Sequence, residues 1–360
     1  MKRRLLTLFA FITVLSLLVA CQPAAAPTEA PKAEQPAAAE PTKAEAPKAE
    51  PTKAEAPAEA KFKAGLLAPG PVNDGGWNQT AYEALKKMEK DLGAETGYVE
   101  VEMSPAAFEK AFRDFASQGY QFILGHGNEF TDAAKAVAPD YPNTFFFLSS
   151  SRFYDPKYPN VIGLNSDSSQ PMYVFGYIAA KMGKGAGLIG GMEIPPISES
   201  FTGFIDGAKA VDPNFPVKVT YLGNWTDTAA AKEAGISYVD GGANVLVGNA
   251  DFATQGVFQA MAEKKVMGFS MFGDNTEKAP ESILANYFLD YGQGLEQIAS
   301  EVKAGTFKPT SNYEFGLKDD KVIWFVYNEK AATPVPADLR KEVEGVVEKI
   351  KAGEINTLAQ

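Results

Sequence analysis

The chain has 360 residues, a formal net charge of -11 and a pI near 4.9, with one cysteine and one histidine. That acidic balance, with no basic stripe, argues against nucleic acid as a partner. Cys21 alone allows no disulfide framework, and His126 alone allows no zinc site of two or three histidines; Ser-His-Asp or Cys-His chemistry would have to run through that single imidazole.

Lys2, Arg3 and Arg4 precede the apolar run 5–19, which ends in Leu18-Val19-Ala20-Cys21. This pattern predicts a signal peptide over 1–20. Its end resembles the bacterial lipobox, in which the cysteine is lipidated and becomes the first residue. Each buried methylene contributes only about 0.8 kcal/mol, so stable anchoring needs more than one acyl chain. Residues 21–60 are then read as the lipidated Cys21 and a linker of Ala, Pro, Glu, Lys and Thr, with 41–47 nearly repeated at 51–57. It lacks the apolar side chains that would offset ordering. At about 3.1 Å per residue in PPII, it reaches on the order of 100 Å. The expectation is an extracytoplasmic domain tethered to the membrane through Cys21.

From residue 61 the pattern alternates short apolar runs with amphipathic ones. It predicts a strand over 62–68, a helix over 78–92, a strand over 98–103, a helix over 105–117, a strand over 122–125, a helix over 131–138 and a strand over 144–148. The alternation then restarts: helix 172–182, strand 187–189, helix 199–211, strand 217–222, helix 228–240, strand 245–248, helix 254–264 and strand 266–270. Such alternation marks parallel α/β sheets, and the length favours two lobes with a cleft between them. The predicted lobes are 61–163 with about 280–325, and 164–279 with about 326–360.

Ligands bind outside the carboxyl ends of such strands, which here are the loops 69–79, 125–130, 194–201, 248–252 and 271–275. In the first loop Asn73 and Asp74 supply an amide and a carboxylate, Gly75 and Gly76 a turn, and Trp77 and Asn78 open the next helix. Asn and Asp favour turns and helix starts, but a cap does not require the tryptophan. An indole at a strand end suits stacking on a flat ligand. Asn128 and Glu129 are candidates for reading base edges, and Asn249 and Asp251 for the far side of the cleft. His126 reads as structural or solvated; Trp225 either lines the cleft or packs over the second lobe.

Gly75-Gly76-Trp77-Asn78-Gln79, 176–182, 190–195 and 201–209 together resemble the basic membrane protein (BMP) family of substrate-binding lipoproteins. The block Gly-Gly-Met-x-Ile-Pro followed by Phe-x-x-Gly-x-x-x-Gly-Ala-Lys is the strongest match. The resemblance implies a type I periplasmic-binding-protein fold, with two parallel α/β lobes joined by a hinge. It also implies a monomer that needs no cofactor or metal and hands a small molecule to an ABC permease and its ATPase. The implied ligand is a purine nucleoside or nucleobase, with flavin as an alternative. By position, Trp77 would stack on one face of the base and Phe201 lie near the other, unless Phe201 is helix core. Asp274 falls where relatives carry an aspartate for ribose hydroxyls, unless it merely caps a turn. Relatives that bind nucleosides commonly carry a lysine in the stretch that here reads 283–290, where Asn286 is the candidate replacement. A surface sensor remains a second class. A nucleoside-processing enzyme is disfavoured by the absence of a Gly-x-Ser-x-Gly elbow, a P-loop or a zinc set.

Overall fold

In the computed structural model, residues 61–358 are described. The predicted signal peptide, Cys21 and the linker lie outside the described residues. The apolar run that opens the domain becomes β1 (Lys63–Ala68), buried from its second residue onward. A strand hidden on both faces needs such an unbroken apolar run, whereas a half-exposed one alternates. β1 leads through α1 (Trp77–Leu92), β2 (Glu95–Glu100), α2 (Pro105–Ser117), β3 (Phe122–Gly125) and α3 (Thr131–Val137) to β4 (Phe145–Ser149) and β5 (Val161–Ser166). Local signals set these helices. Gly93 adopts the left-handed conformation that ends α1. Ser104 accepts a hydrogen bond from the Ala107 N–H, with Pro105 at the first helical position of α2.

The chain then crosses to a second sheet. α4 (Ser169–Met182), β6 (Ala186–Gly190), α5 (Pro195–Val211), β7 (Val217–Tyr221), α6 (Thr228–Asp240), β8 (Val245–Asn249), α7 (Thr254–Lys264), β9 (Met267–Ser270) and β10 (Ile283–Leu289) follow. It returns to the first lobe for α8 (Tyr291–Lys303), which packs on α1, and for β11 (Tyr313–Phe315). It ends in the second with β12 (Ile323–Tyr327) and α9 (Ala337–Lys351), which packs on α4. The sheet orders are β11-β5-β4-β3-β1-β2 and β12-β10-β9-β8-β6-β7. Every pairing is parallel except β10 with β12. Two parallel α/β lobes linked by three crossings give the type I periplasmic-binding-protein architecture.

Three expectations shift. The strand predicted over 98–103 forms at Glu95–Glu100, because Glu95 pairs with Lys63 in the ladder and Lys63 Nζ lies 3.0 Å from its carboxylate. α5 starts at Pro195 rather than 199, since prolines suit the first turn of a helix. The return to the first lobe, expected near residue 280, comes only after Leu289, because β10 hydrogen-bonds to β9 and β12. The run 161–166, left without an element assignment, is β5, buried along its whole length.

The glycines of the motif that follows Phe201 have a packing explanation. A Cβ on Gly207 would overlap the Tyr173 carbonyl, and one on Gly176 the Phe204 carbonyl, so α4 and α5 touch backbone to backbone.

Candidate functional site

The carboxyl ends of β1, β3, β4, β6, β8 and β9 carry loops that meet between the lobes. After β1, the Asp74 carboxylate folds under the start of α1. Its Oδ1 accepts from the N–H groups of Gly76 (2.8 Å) and Gln79 (3.1 Å), and its Oδ2 from the Asn78 N–H (2.9 Å) and Asn78 Nδ2 (3.0 Å). Buried and engaged by four donors, Asp74 builds the loop instead of presenting its carboxylate as the ligand contact expected of it. Asn73 is exposed and lies outside the cavity lining. What the turn presents is Trp77. One indole face stacks on His126, with ring centroids 4.3 Å apart and planes 22° apart. The imidazole is buried; Nε2 lies 2.9 Å from the Trp77 carbonyl and Nδ1 2.9 Å from Ser149 Oγ. The carbonyl can only accept, so Nε2 carries the proton and Nδ1 accepts from the Ser149 hydroxyl. Burial depresses the imidazole to about 3, so it is a neutral, structural ring.

After β3, Gly127 takes φ 146, and the Glu129 carboxylate lies where a Cβ on that glycine would be. Burial pushes Glu129 up to about 7. In the second lobe Asp251 sits at φ 47 just past β8. Its carboxyl is raised well above the usual range by burial, then by the charges of Asp74 and Glu129, with the Asn78 amide opposing. Asn249 is buried and donates to Ser200 Oγ at 3.0 Å. The Trp225 indole lies against Gly191, where any Cβ would overlap it, and the Trp225 carbonyl accepts from the Ala253 N–H at 2.9 Å.

These groups line an inner chamber of about 50 Å³, with Trp77, Asn128 and Glu129 from the first lobe and Trp225, Asn249 and Asp251 from the second. An outer chamber of about 440 Å³, within the range small organic ligands occupy, adds Asn78 and the exposed Met103, Met192 and Phe252 at the mouth. Two polar contacts tie the lobes together beside it. Arg152 meets Glu199 at 2.9 Å, and Gln255 Nε2 donates to the Asp74 carbonyl at 3.3 Å.

Two further expectations are corrected. Phe201 is fully buried in the hydrophobic core, its ring 6.0 Å from that of Tyr221, and Trp225 stands on the second-lobe wall instead. Asp274 is exposed and caps the following turn, accepting from the Thr276 N–H at 3.0 Å; the Thr276 hydroxyl and then that N–H hold its carboxyl below the usual range. Asn286, its suggested helper, is buried and spent on the Asn275 N–H and Thr276 Oγ1. The same loop sends Phe272 into the cavity, at φ 66 and edge-on to Trp77 at 5.1 Å. Phe272 was missed, as were Ser150, Ser166 and Ser168. The available signals were an aromatic before a glycine, and serines at strand ends.

A family model described as ABC transporter substrate-binding protein PnrA-like matches residues 61–360. The chain belongs to this family. Among similar proteins, a purine-binding protein of Brucella abortus (strain 2308) is 28% identical over 304 residues, covering 83% of each chain. The ABC transporter nucleoside-binding protein BmpA of Lactococcus lactis is 27% identical over 273 residues, covering 70% of this chain and 77% of that one. An ABC transporter solute-binding protein structure from Conexibacter woesei superposes with a TM-score of 0.65 at 26% identity, covering 82% of this chain and 98% of that one. PnrA-like proteins are binding proteins of ABC transporters, not enzymes. As a member of this family the protein has a small-molecule ligand and a transporter complex as its partners.

Proposed function

We propose that this protein captures a purine nucleobase or nucleoside between its lobes and delivers it to an ABC permease and ATPase from a lipid anchor at Cys21 on the outer face of the membrane. The observation that carries the reading is one indole from each lobe, Trp77 and Trp225, lining one cavity together with Asn128, Glu129, Asn249 and Asp251. A flat heterocycle matches aromatic walls, and amides and carboxylates match its edges. The similarity to purine-binding and nucleoside-binding relatives supports the same ligand class. Closure over the ligand turns about the crossings near residues 167, 290 and 320 and brings both lobes to face the permease. Anchoring rests on the Leu-Val-Ala-Cys motif alone.

Thermal-shift screening of purified protein with bases, nucleosides, flavins and sugars, followed by calorimetry on the hits, tests the ligand class. A purine that raises the melting temperature is the expected result. Sugar binding without any heterocycle binding would sink the proposal. Metabolic labelling with a palmitate analogue tests the anchor, and label that survives Cys21→Ala would refute it.

A further inference from the structure

The polar groups of the cleft share one sign. Across both chambers the charged side chains are Glu129 and Asp251, and the lining contains no Lys, Arg or available His. His126 uses both ring nitrogens elsewhere. Asn78 Oδ1 is buried with no hydrogen-bond partner, the only such side-chain atom among the described residues. Its amide cannot turn over, because Nδ2 donates to Asp74 Oδ2, and a flip would set oxygen against a carboxylate that three backbone N–H groups hold in place. The N–H groups at the start of α1, a natural seat for an anion, are occupied by that same carboxylate. Arg152, the cation nearest in role, is paired with Glu199 and Glu314.

We infer that the cleft selects ligands that present hydrogen-bond donors and carry no anionic group, with Glu129 on one lobe and Asp251 on the other as the residues that impose the selection. The inference rests on the reading of the cleft as a heterocycle site and sharpens it to a donor-rich, unphosphorylated ligand. The orphan Asn78 oxygen is left unmatched by a ligand of acceptors alone, and a buried acceptor without a donor is costly. A phosphate would face two acidic side chains with no Lys or Arg in the lining to neutralise it. Amino and ring N–H groups can be accepted by the Asn78 oxygen and by both acidic side chains. Burial raises both acids in the empty cleft, and the charges of Asp74 and Glu129 raise Asp251 further.

Calorimetry at pH 7.5 tests this with matched pairs. 2,6-Diaminopurine should bind at least about tenfold more tightly than unsubstituted purine, and a purine nucleoside at least about 100-fold more tightly than its 5′-monophosphate. In the Glu129→Gln, Asp251→Asn double variant both ratios should shrink to within about threefold while the variant still melts cooperatively. Asn tolerates the positive φ of position 251, so the substitution leaves the loop unstrained. A monophosphate that binds the wild-type protein as well as its nucleoside overturns the inference and leaves the purine reading intact. If no purine binds, that reading falls, and tryptamine against indole-3-acetate decides the inference: preference for the amine supports it, and any other result overturns it.

Discussion

The two indoles of the cleft are held by opposite means. Trp77 is backed by a ring: His126 stacks on it, hydrogen-bonds its carbonyl and is anchored in turn by Ser149. Trp225 is backed by bare main chain at Gly191, in a turn that Asn224 ties by accepting from the N–H groups of Thr226 and Asp227 at 3.0 and 2.8 Å. A polar ring with both nitrogens committed fixes its neighbour's plane, so the first-lobe wall is preorganised. A flat glycine surface sets only the depth of the second indole and leaves its loop to set the angle. One wall is fixed by a stacked ring, and the other rests on bare main chain.

Removing the stacked ring is the severest way to break this contrast. His126→Ala vacates a fully buried ring and strands the Ser149 hydroxyl, at a cost on the order of 3 kcal/mol of stability, read as a lower urea midpoint with unchanged slope. An unchanged midpoint would make the imidazole dispensable. Next come the indoles themselves. Trp77→Ala should weaken purine binding by about 2 kcal/mol and Trp225→Ala by about 1 kcal/mol, because only the first is presented at a fixed angle. Equal losses in calorimetry would remove the distinction between the walls.

Two titrating groups sharpen the picture further. His126 is depressed from 6.5 to about 3, so its contribution to stability is complete above 6.5 and is lost as pH falls toward 3. Glu129 is raised from 4.5 to about 7, so its contribution is complete below 4.5 and is lost as pH rises through 7; Asp251 acts in the same direction. The unliganded domain should therefore melt at a lower temperature at pH 8 than at pH 6, and Glu129→Gln should flatten that decline. A variant that declines as steeply as the wild type would clear Glu129 of the effect. The smallest expected change is at the exposed Arg152–Glu199 pair across the cleft, whose loss in Arg152→Ala should cost no more than about 1 kcal/mol of binding. A larger loss would make that pair a latch.

Much of the molecule was legible because its signals are local. Periodicity located α2, β3, α6 and α7 at the bounds they adopt, and strand ends pointed to Trp77, Asn128, Glu129, Asn249 and Asp251. The failures share a cause. Asp74 and Asp274 sit in turns, where a carboxylate either faces a ligand or turns back to cap N–H groups, and the same residue types serve both ends. Phe201 differs from a cleft residue only by helical phase against a neighbour, and α4 supplies that neighbour. The apolar run of β10 reads the same whichever sheet it joins.

By itself, then, the sequence determined the element types, the doubling of the α/β pattern and the set of chemistries excluded by one cysteine and one histidine, all of which follow from composition and short-range spacing. Only the tertiary structure decided which strand joins which sheet, which aspartates turn inward, and that two tryptophans separated by almost half the domain line one cavity. Those outcomes depend on which surfaces remain to be buried once both sheets have formed, and that competition is settled in three dimensions.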